Sequence, residues 1–395
     1  MGQTLGNIYN NVGFALNLHA EAMARLQEQA ATGSRINRPS DDPGSAYRVL
    51  GFNSQGRSLQ NYVDNMSDFV GALEISSTIV GNMVSEFSEA KTRLTQIING
   101  IYGEEGRQRI AEGINDILEQ IVLLANTEHN GQYLFGGSDT DSAPYVVERS
   151  DGQIVGVTYQ GSAAGRTAEV APGVQSTVFY VGDDIFCSGD RGEPIFLGET
   201  GAAAGSGTSS VTGDVWLTLI HDGSNYQMSI DDGASYVTVP AGGDANQAVT
   251  DSRTGQVLYV DSTGINSTGV EMVRVPGTYN IFDTLINIRD ILKNDRGLSE
   301  GEMLELLGES LNSLDEINTL LVRAEVSVGS RIGFLSDLQE SIKNVQYNVE
   351  DEATRLQQAD IAQVAIDLSR REVLYQMSLS VAAKLMSMSL LDFLG

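Results

Sequence analysis

The sequence predicts an α+β chain: a long antiparallel helical bundle or coiled coil formed by the N- and C-terminal arms, with a β-rich domain inserted between them. Three observations predict it. Five of the seven prolines and 21 of the 43 glycines fall in residues 138–280, whereas 44–143 and 277–395 contain no proline at all. Proline inside a helix costs ~3 kcal/mol, so both outer stretches are open to long helices. Each carries apolar residues at every seventh position, and the segment between them carries short β-branched runs separated by turn residues.

The first helical piece is read from Ile8, Val12, Ala15, Ala22 and Leu26, and the Ser34 to Gly44 loop cuts it from the next. There the row Phe52, Leu59, Met66, Leu73, Val80, Phe87, Leu94 and Ile101, with Val63, Val70, Met83, Val84, Ile97 and Ile98 beside it, makes a wide core-facing stripe. A helix of about 50 residues follows, ~75 Å long at ~1.5 Å per residue. Gly100 and Gly103 to Gly106 end it, and a shorter stripe, Ile110, Ile114, Ile117, Ile121 and Leu124, stops before Asn130-Gly131. Near the C-terminus Leu307, Leu314, Leu321, Val328, Leu335, Ile342, Val349 and Leu356 form a second row, opened by Ser299 and Glu302 as a capping box. After Leu356 the row shifts by five to Ile361, Leu368, Tyr375 and Ala382, with Ala365, Leu379 and Met386 as companions; the shift marks a boundary near Gln357 to Asp360.

The middle reads as strands at 154–159, 177–181, 215–220 and 257–260, with turns at Ser150-Asp151-Gly152 and Asp231-Asp232-Gly233. The Gly201 to Gly207 run is read as a linker splitting them into two groups. Expected divisions are terminal helices at 1–33 and 361–395, a helical rod at 34–137 and 281–360, a β domain at 138–200 and an additional β insertion at 201–280. The two long stripes most simply cover each other. The terminal segments are amphipathic and can bury their faces only by pairing with each other or with neighbouring subunits, so they are expected to be flexible or unfolded in the monomer and to order on assembly.

Charge narrows the function classes. Twenty-four Lys and Arg against 52 Asp and Glu leave a net −28, a field that repels phosphate backbones and anionic membrane surfaces. Residues 138–280 hold 18 acids and five bases. Cys187 is the lone cysteine, so no intrachain disulfide or Cys-based zinc site can form. His19, His129 and His221 fall in three different zones, and no Walker A loop occurs. Asp183-Asp184, Asp231-Asp232 and Asp139-Thr140-Asp141 offer hard oxygen ligands without the spacing of a calcium loop, and read as solvated turns. No catalytic residue, metal site or cofactor is expected. The first residues lack a basic and apolar leader, so export would proceed without a cleaved signal peptide.

The stretch Ala31 to Ala46, containing Arg35, Ile36, Asn37, Pro39, Asp41, Asp42 and Pro43, resembles the signature loop of the bacterial flagellin superfamily, and its Asn-Arg-Pro-Ser-Asp-Asp-Pro form resembles the hook-associated branch. Asp42 suits the N-cap of the long helix and Pro43 its first position. Asn130 to Thr140, with Tyr133, Leu134, Phe135, Gly136 and Gly137, is similar to that branch's passage from helix to β domain; Arg323-Ala-Glu-Val and Ser389 to Leu394 are similar too. The resemblance covers the helical arms and, more loosely, the first β group. It implies a non-enzymatic subunit of the extracellular flagellum, exported by the flagellar type III apparatus and placed as a ring between hook and filament. Its implied partners are hook-associated protein 1, flagellin, further copies of itself and an export chaperone. A divergent filament flagellin, and a flagellin-like protein with a ligand-binding or enzymatic β insertion, are the alternatives.

Overall fold

Proline, glycine and the seven-residue rows set where the helices run. The computed structural model describes the backbone of residues 2–100 and 102–394 and the side chains of residues 10–100 and 102–384. Ile101, and the side chains of Ile8 and Met386, lie outside the described residues. Helices α1 (Gly2–Thr32), α2 (Pro43–Asn99) and α3 (Glu104–Ala125) come first. Next are strands β1 (Glu128–His129), β2 (Gln132–Tyr133), β3 (Tyr145–Ser150), β4 (Gln153–Tyr159), β5 (Arg166–Ala171) and β6 (Val174–Phe179), and a one-turn helix α4 (Gly182–Phe186). Strands β7 (Ile195–Leu197), β8 (Ala203–Ala204), β9 (Gly213–His221), β10 (Tyr226–Ser229), β11 (Val237–Thr238), β12 (Gln247–Thr250), β13 (Val257–Asp261) and β14 (Gly269–Val275) follow. Helices α5 (Ile281–Lys293), α6 (Glu300–Gln357) and α7 (Ile361–Leu394) complete the chain, which divides into one unit of residues 1–65 with 337–395 and another of 66–336.

In the first unit, α2 and α6 run antiparallel: Gln339 Nε2 donates to the Val63 carbonyl at 3.0 Å and Gln346 Nε2 to Gln60 Oε1 at 2.9 Å. Leu59, Val63 and Ile342 are buried between them. Helices α1 and α7 pack on each other.

In the second unit the two seven-residue rows are the core. Met66, Leu73, Val80, Phe87 and Leu94, and Leu307, Leu314, Leu321, Val328 and Leu335, are each at most 1% exposed. Val80, Phe87 and Leu94 share one cluster with Leu307, Leu314 and Leu321, and the Lys91–Asp315 ion pair bridges the same two helices. The capping box forms as its spacing requires: Ser299 N–H donates to Glu302 Oε2 at 2.8 Å and Glu302 N–H to Ser299 Oγ at 3.3 Å. Helix α5 lies before the seven-residue row begins at Leu307; its own stripe, Ile281, Leu285, Ile288 and Leu292 at three- and four-residue spacing, is buried together with Phe282 and Ile291.

Two hairpins, β3–β4 and β5–β6, make the first β group. Asp151 and Gly152 close β3–β4 with φ of +52° and +81°, as an Asp-Gly turn does. The second group stacks a five-stranded sheet, order β11-β10-β9-β14-β7, and a three-stranded sheet, order β12-β13-β8, over a separate core that includes Leu217, Met228, Leu258, Val260 and Val273. Two expectations are corrected here. The Gly201 to Gly207 run is not a linker: Ala203 and Ala204 pair with β13, and Gly205 N–H donates to the Tyr259 carbonyl at 3.0 Å. Small residues are needed because a Cβ on Gly207 would enter the Tyr259 ring. The division expected at 200/201 also moves, since β7 already belongs to the second group's sheet beside β14.

Buried ions fasten the β groups to the helices. Arg274 of β14 and Asp214 of β9, each 3% exposed, form a bidentate pair with both contacts at 2.7 Å, and Arg274 also donates to Ser310 Oγ of α6 at 3.3 Å. Arg289 of α5 donates to Asn115 Oδ1 of α3 at 3.0 Å and to the Ile154 carbonyl of β4 at 2.6 Å. Glu271 lies inside the second core, and burial pushes its carboxyl up against the opposing pull of Thr200.

Arg274→Ala leaves Asp214 charged and buried, and a loss of about 3–5 kcal/mol in denaturant unfolding is expected; Arg274→Met with Asp214→Asn should recover much of it. For Glu271, a folded value above the unfolded one means stability that is intact below the ordinary Glu range and lost as pH rises through the folded value. Glu271→Gln should therefore melt higher than the parent chain at pH 7, with the gap closing toward pH 4.

Candidate functional site

The signature loop is where four helix ends meet. Gly33, at φ +70°, ends α1 in the left-handed conformation that glycine adopts freely, its N–H donating to the Gln29 carbonyl at 2.9 Å. Ser34 then pairs antiparallel with Gln358, in the break between α6 and α7. Arg35 N–H donates to the Gln357 carbonyl at 2.6 Å and Ala359 N–H to the Gly33 carbonyl at 2.9 Å. The expected boundary near Gln357 to Asp360 is thus real, and it faces the α1–α2 loop.

Arg35 holds the centre. Its guanidinium donates to the Leu356 carbonyl at the end of α6 at 3.2 Å and stands 3.2 Å from the Asp42 carboxylate. Its own carbonyl accepts from Gln29 Nε2 of α1 at 3.1 Å. Asp42 caps α2 as its position suggests, accepting from Ser45 N–H at 3.1 Å, and Pro43 opens the helix. Hydrogen bonds from Ser45, with Arg35 beside it, hold the Asp42 carboxyl below the usual carboxylate range. Asp41 Oδ2 accepts from the N–H groups of Asn37 and Arg38 at 3.1 and 2.8 Å, and Asn37 Nδ2 donates to the Ser34 carbonyl at 3.2 Å. Ile36 is half-buried and Pro39 exposed. Asp360 caps α7 through Gln363 N–H at 3.1 Å. Sequence reading found Arg35, Asn37, Asp41 and Asp42 but missed Leu356, Gln357 and Ala359, which act through backbone atoms and leave no signal in side-chain pattern, and Ser34, whose hydroxyl donates to the Gln357 carbonyl at 3.3 Å.

Of the residues expected at the terminal-helix interface, Leu368, Tyr375 and Ala382 are half-buried toward α1, whereas Ile361, Ala365 and Leu379 are exposed. Val364, Arg371 and Ser378 complete the α1-facing side. The stripe therefore has two faces. A groove of about 340 Å³ between α1 and α7 is lined by Val12, Ala15, Leu374, Met377 and Val381.

The helix-to-β motif is structural anchoring. Leu134 and Phe135 are buried, Phe135 packing on Phe186 at 5.0 Å between ring centres. Gly136 bridges to Val181, and Gly137, at φ +66°, donates its N–H to the Tyr180 carbonyl at 3.0 Å; a Cβ there would meet the carbonyls of Ser162 and Ala164. Tyr133 N–H donates to the Thr140 carbonyl at 2.9 Å.

The acidic pairs are engaged locally. Asp231, 3% exposed, accepts from Ser229, Ser235 and Ser252, and although burial would raise its carboxyl, the hydrogen bonds from Ser235 and Ser252 hold it far down. Asp139 accepts from Asp141 N–H and Ser142 Oγ. Among the described residues no group of His, Cys, Asp and Glu is placed to hold a metal ion, and no helix is long and apolar enough to cross a membrane.

Residues 7–140 match the bacterial flagellin N-terminal helical region, so the flagellin resemblance of the loop extends through α1, α2 and α3. Flagellar hook-associated protein 3 of Escherichia coli is 26% identical over 173 residues, 44% of this chain and 52% of that protein. The chain spans about half the length of the curated hook-associated relatives it matches. Polar flagellin C of Vibrio parahaemolyticus is 21% identical over 387 residues, 93% of this chain and 92% of that one. In fold, the chain is similar to the crystal structure of flagellar hook associated protein-3 from Legionella pneumophila: 18% identity, 78% of this chain, 97% of that chain, TM-score 0.51.

Protonating Asp42 weakens its cap and its pair with Arg35. Because its folded value is lowered, this stabilisation is complete above the ordinary Asp range and disappears as pH falls through the lowered value. The melting difference between the parent chain and Asp42→Ala should be largest at pH 7 and shrink steadily below pH 4.

Proposed function

We propose that this chain is a structural, non-enzymatic subunit of the bacterial flagellum that joins the hook to the flagellin filament. The observation that carries the reading is the pairing of a flagellin-type N-terminal region with a terminal helix pair whose apolar surface is only partly used within one copy. Phe14 and Leu18 on α1, and Ile361, Ile366, Val373, Met377, Leu379 and Val381 on α7, are 45–72% exposed. Contiguous apolar surface of this kind is covered by another protein in a working assembly. The identity to hook-associated protein 3 supports placing the subunit at the hook-filament junction, in a ring with hook-associated protein 1 on one side and flagellin on the other. Export through the flagellar type III apparatus follows from that placement, and α7 is the segment an export chaperone would grip in its helical groove. On this reading the acidic β groups face outward and keep crowded subunits soluble.

Filament flagellin is the second reading, favoured by the near full-length match to a polar flagellin. A deletion strain separates the two. Loss of a junction subunit leaves hooks in place and releases unpolymerised flagellin into the medium; loss of the filament protein leaves no such pool.

Removing residues 361–395 should leave a soluble, helical protein that cannot restore filaments in the deletion strain. Normal filaments on electron micrographs of that strain would rule out the assembly role of α7.

A further inference from the structure

The sequence holds two Asn-Gly pairs, Asn99-Gly100 and Asn130-Gly131. Asparagine before glycine is open to attack from within the chain, because a residue without Cβ lets its backbone nitrogen approach the preceding side-chain amide. Both asparagines are exposed, so access of water does not separate them. Hydrogen bonding does. Asn99 is the last residue of α2; its Nδ2 donates to the Thr95 carbonyl at 3.0 Å and the Gly100 N–H to the Ile97 carbonyl at 3.3 Å, which engages nucleophile and leaving group at once.

Asn130 and Gly131 form the tip of the β1–β2 hairpin at φ of +52° and +74°, the left-handed pair that Asn-Gly supplies to a two-residue turn. Among the described residues the Gly131 N–H has no hydrogen-bond acceptor. The ladder that holds the turn has only two residue pairs, Glu128 with Tyr133 and His129 with Gln132, and so short a ladder opens readily. Beside it, His129 Nε2 lies 3.1 Å from Asn130 Nδ2.

We propose that Asn130 is a site of self-modification in the folded chain. When the turn relaxes, Gly131 N adds to Asn130 Cγ, and the side-chain nitrogen becomes an amine that must gain a proton to leave. Protonated His129 Nε2 supplies it as a general acid, while Gly131 N gives its own proton to water. One C–N bond forms and one breaks, ammonia departs and a cyclic imide remains. Water then opens either of the two carbonyl–nitrogen bonds of the ring. Opening at the side-chain carbonyl yields aspartate; opening at the main-chain carbonyl sends the backbone through the side chain as isoaspartate. Both products add a negative charge beside Glu128. Aspartate keeps the turn, since Asp-Gly suits the same geometry. Isoaspartate lengthens the main chain by a methylene, and the Glu128–Tyr133 and His129–Gln132 register cannot survive that. The hairpin leads into the buried Leu134 and Phe135, so modification loosens the passage from α3 to the first β group at its entrance. It does so whether the chain serves at the junction or in the filament.

Peptide mass spectrometry of the full-length chain held at neutral pH tests this, with isoaspartate counted separately by isoaspartyl methyltransferase labelling. The Asn130 peptide should gain the mass of an amide-to-acid exchange while the Asn99 peptide stays unchanged. His129→Ala should slow conversion at Asn130 about tenfold, and His129→Gln, which keeps a hydrogen-bonding side chain but delivers no proton, should slow it equally. In concentrated urea the two asparagines should convert at similar rates and His129→Ala should lose most of its effect. An Asn130 that stays intact in the folded chain over the time in which the unfolded chain converts would overturn the proposal. So would equal conversion of Asn99 and Asn130 in the folded chain, or a rate at Asn130 indifferent to both His129 substitutions.

Discussion

An apolar side chain at every seventh position of a long helix must meet another helix, and that demand organises everything else in the chain. Within the second unit Val80, Phe87 and Leu94 meet Leu307, Leu314 and Leu321, although some two hundred residues of sequence separate the two rows. Water cannot be excluded from either row by strands of two to nine residues. Once the long helices cover each other, α3 and α5 can add Ile114, Ile117, Leu285 and Ile288 to the same cluster. The β segments are then left with two tasks, to bury their own second faces and to attach to a helical surface already formed.

Attachment uses charge where burial is plentiful. Arg274 and Asp214 neutralise each other inside the protein, and Ser310 takes a further guanidinium N–H. Arg289 bonds an amide on α3 and a carbonyl on β4. A buried pair of this sort contributes little net stability over apolar residues of the same shape, but it tolerates no other partner. Its value here is in orientation: only one placement of β9 and β14 against α6 satisfies both ions. Glycines serve the same end by closeness, as at Gly207 against Tyr259 and Gly137 against the carbonyls of Ser162 and Ala164.

What the sequence made legible follows from the range of each signal. Periodicity located α2 and α6, and local chemistry located their starts, with Asp42 and Ser299 both capping as their spacing indicates. Strands 154–159, 215–220 and 257–260 were legible from β-branched runs. Helix α5 fell outside the seven-residue rows because it is only 13 residues long, too short to repeat a heptad more than once, and β8 was hidden because alanine and glycine carry no strand preference. The junction of the four helix ends was half visible. Both helix breaks stood out in the sequence, but the bonds that join them run between backbone atoms of Gly33, Arg35, Gln357 and Ala359, and no residue type announces such a partner.

The terminal pair is built with less internal cohesion than its composition permits. Moving Ile361, Leu379 and Val373 into the seam with α1 would raise the stability of an isolated copy, and would remove the apolar surface on which the proposed assembly role rests. Leaving them outside is hazardous for an ordinary protein, since exposed apolar stripes promote indiscriminate association. A net charge of −28 supplies the counterweight, because long-range repulsion slows random encounters while short-range apolar contact still governs a docked pair. Register becomes the remaining difficulty, since a stripe of repeated apolar positions can slide by one heptad at small cost. Polar contacts with fixed geometry resist such a slip, and Ser34 opposite Gln358 provides them at the end of the seam where α1 stops and α7 starts. A half-exposed seam, strong charge and a polar anchor are therefore parts of one solution, in which register is fixed where the four helix ends meet so that the apolar surface beyond them can stay open.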